Sequence, residues 1–374
     1  MQEPDDPRAW PAAAPAAAHA LHAQARDALD AATRLAGDRS DAELRAAFEG
    51  LLRAQDGARI AAVFDGAPSA AVYRHLWRAL AQAEAASSGD AMDVSVFALP
   101  VVVVAGRTEG AQDIVTLPAV LGDAAGVAAC LREHGALRGN QTFAVGDALV
   151  GADALALARL PQVLALRALP DAAPAPLVPP DLPPAPIRLS GDHESVHLRF
   201  LVGAAIAAAG VDLFEDATAG RFGVPLARLL GTDLARPGAT VLALPHAPRR
   251  LVPALQAGRG LQREVSAQVF LSNALRRMRG SIGEPSAVIS AHRSAESPSG
   301  GELRLSLSSP FGPRDAEGFR CPLYAVDRVA DVVQMLAALL ADCRVTDVRV
   351  LPGVHADRDG DTGVPLLFRA DALH

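Results

Sequence analysis

Between residues 11 and 86 apolar positions recur every three or four residues, in "AAAHALHAQARDALDAATRLA", "SDAELRAAFEGLLRA" and "AAVYRHLWRALAQAEA". That spacing lines one face of a helix, so the chain is expected to open with a small helical layer. Ser40 followed by Glu43 has the form of a capping box. "SSGD" at 87–90 breaks the rhythm, and "DVSVFALPVVVVAG" follows as a β-branched run suited to a buried strand. "LGDAAGVAACLREHGAL" then reads as a helix ending at Gly135, with "QTFAVGDALVG" and "PQVLALRAL" as short segments after it. Alternation of this kind predicts α/β layers.

Residues 170–186, "PDAAPAPLVPPDLPPAP", hold eight prolines. They can build neither helix nor central strand, and are expected to form a stiff connector. Beyond them "PIRLS" is a strand candidate, and "DHESVHLRFLVGAAIAAAG" is expected to be a helix capped by Ser190 or Asp192 and stopped by Gly210. Strands "ATVLALP", "SAVISAHR", "ELRLSLSS" and "FRCPLYA" follow, then a helix over "VDRVADVVQMLAALLADC". "DVRVLPGV" and "GVPLLFRA" read as a terminal hairpin. The expected fold is α/β or α+β, with a helical region 1–90, an α/β region 91–169, the connector 170–186 and a C-terminal α/β domain 187–374. An echo, "VFALP" at 96 and "VLALP" at 241, each followed by a QxF…AL segment, would make the two halves copies of one unit.

Composition narrows the chemistry. All 35 basic residues are Arg. Without lysine there is no Schiff base, no phosphate-loop lysine and no lysine general base. The formal charge of −7 argues against a dedicated nucleic-acid binder. The densest positive stretches, Arg249 with Arg250 and Arg276 with Arg277, lack interleaved aromatics; they are candidates for an anion or an acidic partner. Cys130, Cys321 and Cys343 form no CxxC pair and are expected to be reduced, buried thiols of a cytoplasmic protein. No apolar run is long enough to predict a membrane span.

One stretch names a chemistry. His193-Glu194-Ser195-Val196-His197 spells HExxH, in which two imidazoles one helical turn apart hold zinc while the glutamate acts as general base. Glu215 or Asp216, about twenty residues on, would supply a third ligand. Asp192 and Ser195 occupy positions where such sites carry uncharged and apolar residues. The helix's polar first turn explains the five letters as well as a metal does. Asp357, Asp359 and Asp361 alternate as in a calcium loop, but Thr362 and Phe368 stand where glycine and glutamate belong. Gly106 and Gly110 lack a dinucleotide fingerprint, and Cys130 with His134 reads as a core thiol beside a surface imidazole.

The expectation is therefore an accessory or assembly protein working through a protein partner, with no cofactor. The alternative is a zinc hydrolase using His193, His197, Glu215 or Asp216 as ligands and Glu194 as base; a second is anion or nucleic-acid binding through the arginines.

Overall fold

A computed structural model describes residues 5–11, 18–86, 92–108, 114–138, 142–165, 181–191, 193–208, 212–214, 217–278, 284–309 and 316–370. The chain mixes helices with antiparallel and mixed sheets and divides into two compact units. The larger comprises Ala14–Gly66 and His75–Gln262, the smaller Met1–Ala13, Ala67–Arg74 and Arg263–His374.

The larger unit opens with α1 (His19–Leu29) and α2 (Arg34–Arg53) and includes most of α4 (Ala70–Ala86), as the three- and four-residue spacing predicts, with α3 (Gly57–Asp65) between α2 and α4. The Ser40–Glu43 box does not start α2: Thr33 caps it, its side chain accepting the Ala36 amide, and Ser40 lies inside the helix. Gly57 begins α3 so close to the chain that a Cβ would lie 1.9 Å from the Ala158 carbonyl oxygen.

Four strands follow in the order β3-β5-β1-β6, where β1 is Met92–Arg107, β3 Thr142–Val150, β5 Ser195–Ala208 and β6 Ala239–Pro245. Strands from both sides of the proline-rich stretch thus share one sheet; residues 170–180 of that stretch lie outside the described residues. Within the helix expected over 192–210, Ser195–Ala208 form strand β5 instead. β5 pairs with β1 continuously from Met92↔Ala208 to Ala105↔Ser195. The alanines have helix propensity, but a strand as apolar as β1 must satisfy its backbone groups on both edges once buried. Only Gly203 fits at its position, since a Cβ there would lie 2.4 Å from Phe97 Cζ and 2.6 Å from the Ala144 carbonyl oxygen.

One face of the sheet presents Phe97, Leu99, Val101 and Val103 with Leu201 and Ala205. It is closed by Val127 and Leu131 of α5 (Ala124–Glu133) and by Phe222, Leu226, Leu230 and Leu234 of α7 (Ala219–Leu234). The four-residue spacing on α7 turns one stripe inward, each side chain contributing roughly 1.5–3 kcal/mol. The other face is apolar too. Leu198 and Phe200 meet α8 (Leu251–Met278) at Gly258, where a Cβ would touch both at 3.0 Å. Buried Glu84 of α4 accepts the amides of Leu251 and Val252 at 2.7 and 3.0 Å, capping α8 from outside its own sequence. A short pair, β2 (Val115–Leu117) with β4 (Ile187–Leu189), and the helix α6 (Leu160–Ala165) complete the unit.

The smaller unit has strand order β10-β7-β8-β9, with β7 Ser286–Arg293, β8 Gly301–Ser308, β9 Glu317–Pro322 and β10 Asp347–His355. β10 runs parallel to β7 after the crossover helix α9 (Val329–Asp342). Ala287, Ile289, Ala291, Leu303, Leu305 and Leu307 pack against Leu271 of α8 and against Val332, Val333, Leu336 and Leu340 of α9. "GVPLLFRA" does not pair with β10 as the second strand of a terminal hairpin: a short turn with the Arg358–Pro365 bridge and backbone bonds between Asp357 and Leu366 and between Asp359 and Val364 leads into it, and Phe368 and Ala370 bond to serine hydroxyls of β8. The echoed segments also diverge. "QTF" leads into strand β3, "QVF" lies within helix α8, and "VFALP" and "VLALP" lie on neighbouring strands of one sheet.

Candidate functional site

The helical turn expected to set His193 and His197 on one face is not formed. His193 lies in a bend and His197 on β5. Four residues of strand span about 13 Å, against about 6 Å for one helical turn. Glu194 is exposed, and Glu215 and Asp216 lie outside the described residues. Among the described residues, no three His, Cys, Asp or Glu side chains gather as a metal group. What β5 does create is a local pair: Ser195 Oγ lies 2.8 Å from His197 Nε2 and 3.2 Å from the Ala105 carbonyl. Burial, followed by the charge of Arg199, lowers the His197 pKa.

The arginine pairs fall in different units. In the larger, Arg249 is exposed, while Arg250 reaches Ser95 Oγ at 3.3 Å and lies over the Phe214 ring. In the smaller, Arg276 is exposed, and Arg277 forms a forked ion pair with Glu317. Arg276 also borders a cavity of about 530 Å³ between α8 and the end of α9, over Leu271 and Leu275 and beside Arg344. Cys130 and Cys321 are buried as expected, but Cys343 is exposed at the end of α9. Burial pushes the Cys321 thiol up to about 12, and burial with Glu133 raises that of Cys130, so neither is an activated nucleophile.

The polar face of the smaller sheet was not legible as a site. Alternation along β8 puts Leu303, Leu305 and Leu307 in the core and turns Glu302, Arg304, Ser306 and Ser308 to the opposite side, where all four are buried. Beside them on β7 stand Ser290 and His292, both 0% exposed. The cover over this face is residues 356–370, whose main chain supplies the partners. Arg304 donates to the carbonyls of Asp357 and Leu366 and to the Asp357 carboxylate, and its Nε donates to Glu302 at 2.7 Å. Ser306 and Ser308 accept the amides of Phe368 and Ala370 at 3.3 and 3.5 Å. His292 Nδ1 lies 2.7 Å from the Ala356 carbonyl, which can only accept, so the proton is on Nδ1. Nε2 of the neutral ring then accepts from Ser290 Oγ at 2.8 Å. Burial, outweighing the Ala356 bond, and the charge of Arg304 lower the His292 pKa to about 4. The alternating "ELRLSLS" was the available signal; it announces a two-sided strand without saying what covers the polar side.

Sheet edges differ as well. β9 carries Glu317 and Arg320, and β10 carries Asp347 and Arg349 with Pro352 inside it; charge blunts both. β3 is bridged by Val120 and Pro184. β6, "ATVLALP", pairs with β1 on one side, has no described strand or bridge on the other, bears no charge, and exposes Leu242 at 54%.

The fold thus defines two α/β units, each a four-stranded sheet with packed helices. Comparison with protein-family models, with curated proteins and with solved structures gives no match to this chain. Among the described residues, no helix is long and apolar enough to cross a membrane.

Proposed function

We propose that this protein is an accessory or assembly component that binds another protein, with the outer edge of β6 as its docking strand. The single observation carrying this reading is the contrast among sheet edges: β3 is bridged and β9 and β10 carry charge, whereas β6 is uncharged and displays Leu242. An extended segment added to such an edge gains main-chain hydrogen bonds, and the exposed side chains Thr240 and Leu242 discriminate among partners. The setting we propose is the cytoplasm, with which three cysteines outside any disulfide agree.

Leu242→Lys introduces the charge that protects the other edges and removes no buried contact. Wild type and variant are immobilised and exposed to an extract of the cells that make the protein, and bound proteins are quantified by mass spectrometry. A protein retained in stoichiometric amount by wild type and reduced at least tenfold by Leu242→Lys, with circular dichroism unchanged, is the expected result. Equal retention by both, or retention of nothing, refutes the reading.

A further inference from the structure

The segment covering the polar face of the smaller sheet has the properties of a bound peptide. The main apolar cluster of that unit draws on α8, α9, the four strands and the loops beside them, and of the covering segment's described residues Ala370 is the one buried apolar side chain. The cover is therefore not what holds the helices to the sheet. It is held instead by main-chain carbonyls and amides meeting Arg304, His292, Ser306 and Ser308, with one carboxylate and one ring that carry sequence information. The carboxylate is Asp357, paired with Arg304. The ring is Phe368, with centroids 4.8 Å from His355 and 6.0 Å from His292. Leu367 adds a contact where β9 has no side chain: a Cβ at Gly318 would lie 2.5 Å from Leu367 Cδ2.

Between these anchors the segment makes an exposed turn. Asp359 Oδ1 accepts the amides of Asp361 and Thr362 at 2.8 and 2.9 Å, and Gly363 adopts φ +67°. With the segment in place the guanidinium and imidazole are fully buried, and the donors they aim at it are met by main-chain carbonyls and one carboxylate. Recognition of main chain by fixed side chains does not depend on whether that main chain belongs to the same molecule.

We propose that this face is a peptide-binding site which the chain fills with its own residues 356–370, and that its ligand in trans is the same segment of a second copy. This site uses no residue of the larger unit and is independent of β6. A second copy is the partner chosen because its segment carries, in the right order, the carboxylate for Arg304, the carbonyls of Ala356 and Leu366, and the ring for the His292–His355 pair.

The test uses the full chain with a protease recognition sequence replacing Gly360–Thr362 in the exposed turn. After cleavage the released end is expected to stay bound and to exchange within hours with a fluorescent peptide of residues 363–374. The same peptide carrying Phe368→Ala is expected to bind at least tenfold more weakly. A fragment that resists hundredfold excess peptide for a day, or a Phe368→Ala peptide that exchanges equally well, overturns the binding site. In a second variant Asp359–Thr362 are deleted, so that the segment cannot fold back over its own sheet. Light scattering should then give twice the chain mass, and a monomer overturns the second copy as partner.

Discussion

Ser195-x-His197 and Ser290-x-His292 are the same two side chains, each pair on one strand with hydroxyl and imidazole 2.8 Å apart, yet they live in different surroundings. The first pair, on β5, is half-buried at the end of a sheet that is apolar on both faces. The second lies inside a sheet whose polar face is sealed by chain. Helices cover an apolar face because burial is nondirectional, and many side chains fit. A polar face needs partners at fixed positions, which only main chain or specific side chains provide. The pair on β7 is consequently part of a directional network, whereas the pair on β5 is local.

The largest effect expected from this contrast is at the arginines. Arg304→Met leaves the Asp357 and Leu366 carbonyls without their donor and Glu302 with Arg320 alone, and should cost about 3–5 kcal/mol. Arg199→Met in the larger unit, which removes hydrogen bonds to the Ala185, Pro186 and Leu198 carbonyls, should cost about 1 kcal/mol. Hydrogen exchange read separately in β8 and β5 measures both, and equal costs would erase the distinction. Next comes a steric test of the apolar sheet: Gly203→Ala must displace Phe97 and the Ala144 backbone, and about 1–3 kcal/mol of overpacking should appear in the urea midpoint.

Acid provides the third test. His292 faces Ser290 on its own strand, Glu302 and Arg304 on β8, His355 on β10 and Phe368 above. Its folded pKa of about 4 lies below the unfolded value of 6.5, so the folded state binds fewer protons in between. Stability is fully present above pH 6.5 and falls as pH drops toward 4, by on the order of 1–3 kcal/mol. A His292→Asn variant should lose most of that slope when unfolding is followed across this window. His197, shifted the same way but half-exposed, should contribute less, and His197→Asn should leave the slope nearly intact. The smallest contrast is in the hydroxyls: Ser290→Ala should cost about 1–2 kcal/mol and Ser195→Ala less than about 0.5 kcal/mol. A reversed order in thermal denaturation would contradict the assigned roles.

Local pattern announced much of this protein. The three- and four-residue spacing marked α1, α2 and α4, and the β-branched run marked β1. Strands β6 to β9 and helix α9 were equally legible, because their alternation or stripe records a single packing direction. Two long helices, α7 and α8, were left unassigned. Pro225 lies within α7, and α8 mixes arginines with apolar residues along 28 positions.

The stretch from Ser195 to Ala208 departs from its expected helix for a specific reason: its alanines and glycine fit a close-packed helix or a close-packed strand, and β1 and β3 on its two edges select the strand. With the helix went the one-turn spacing on which the zinc geometry depended. The polar face of β8 failed to announce its role because polar alternation says that a strand has two sides, never which segment returns to cover one. What the sequence determined alone is therefore the set of elements whose preference is written in their own periodicity, together with the chemistry excluded by the absence of lysine. Tertiary structure decided where partners come from. A hydrogen bond to Arg304 or His292 is supplied by residues more than fifty positions away, and such a bond leaves no period in the chain that makes it.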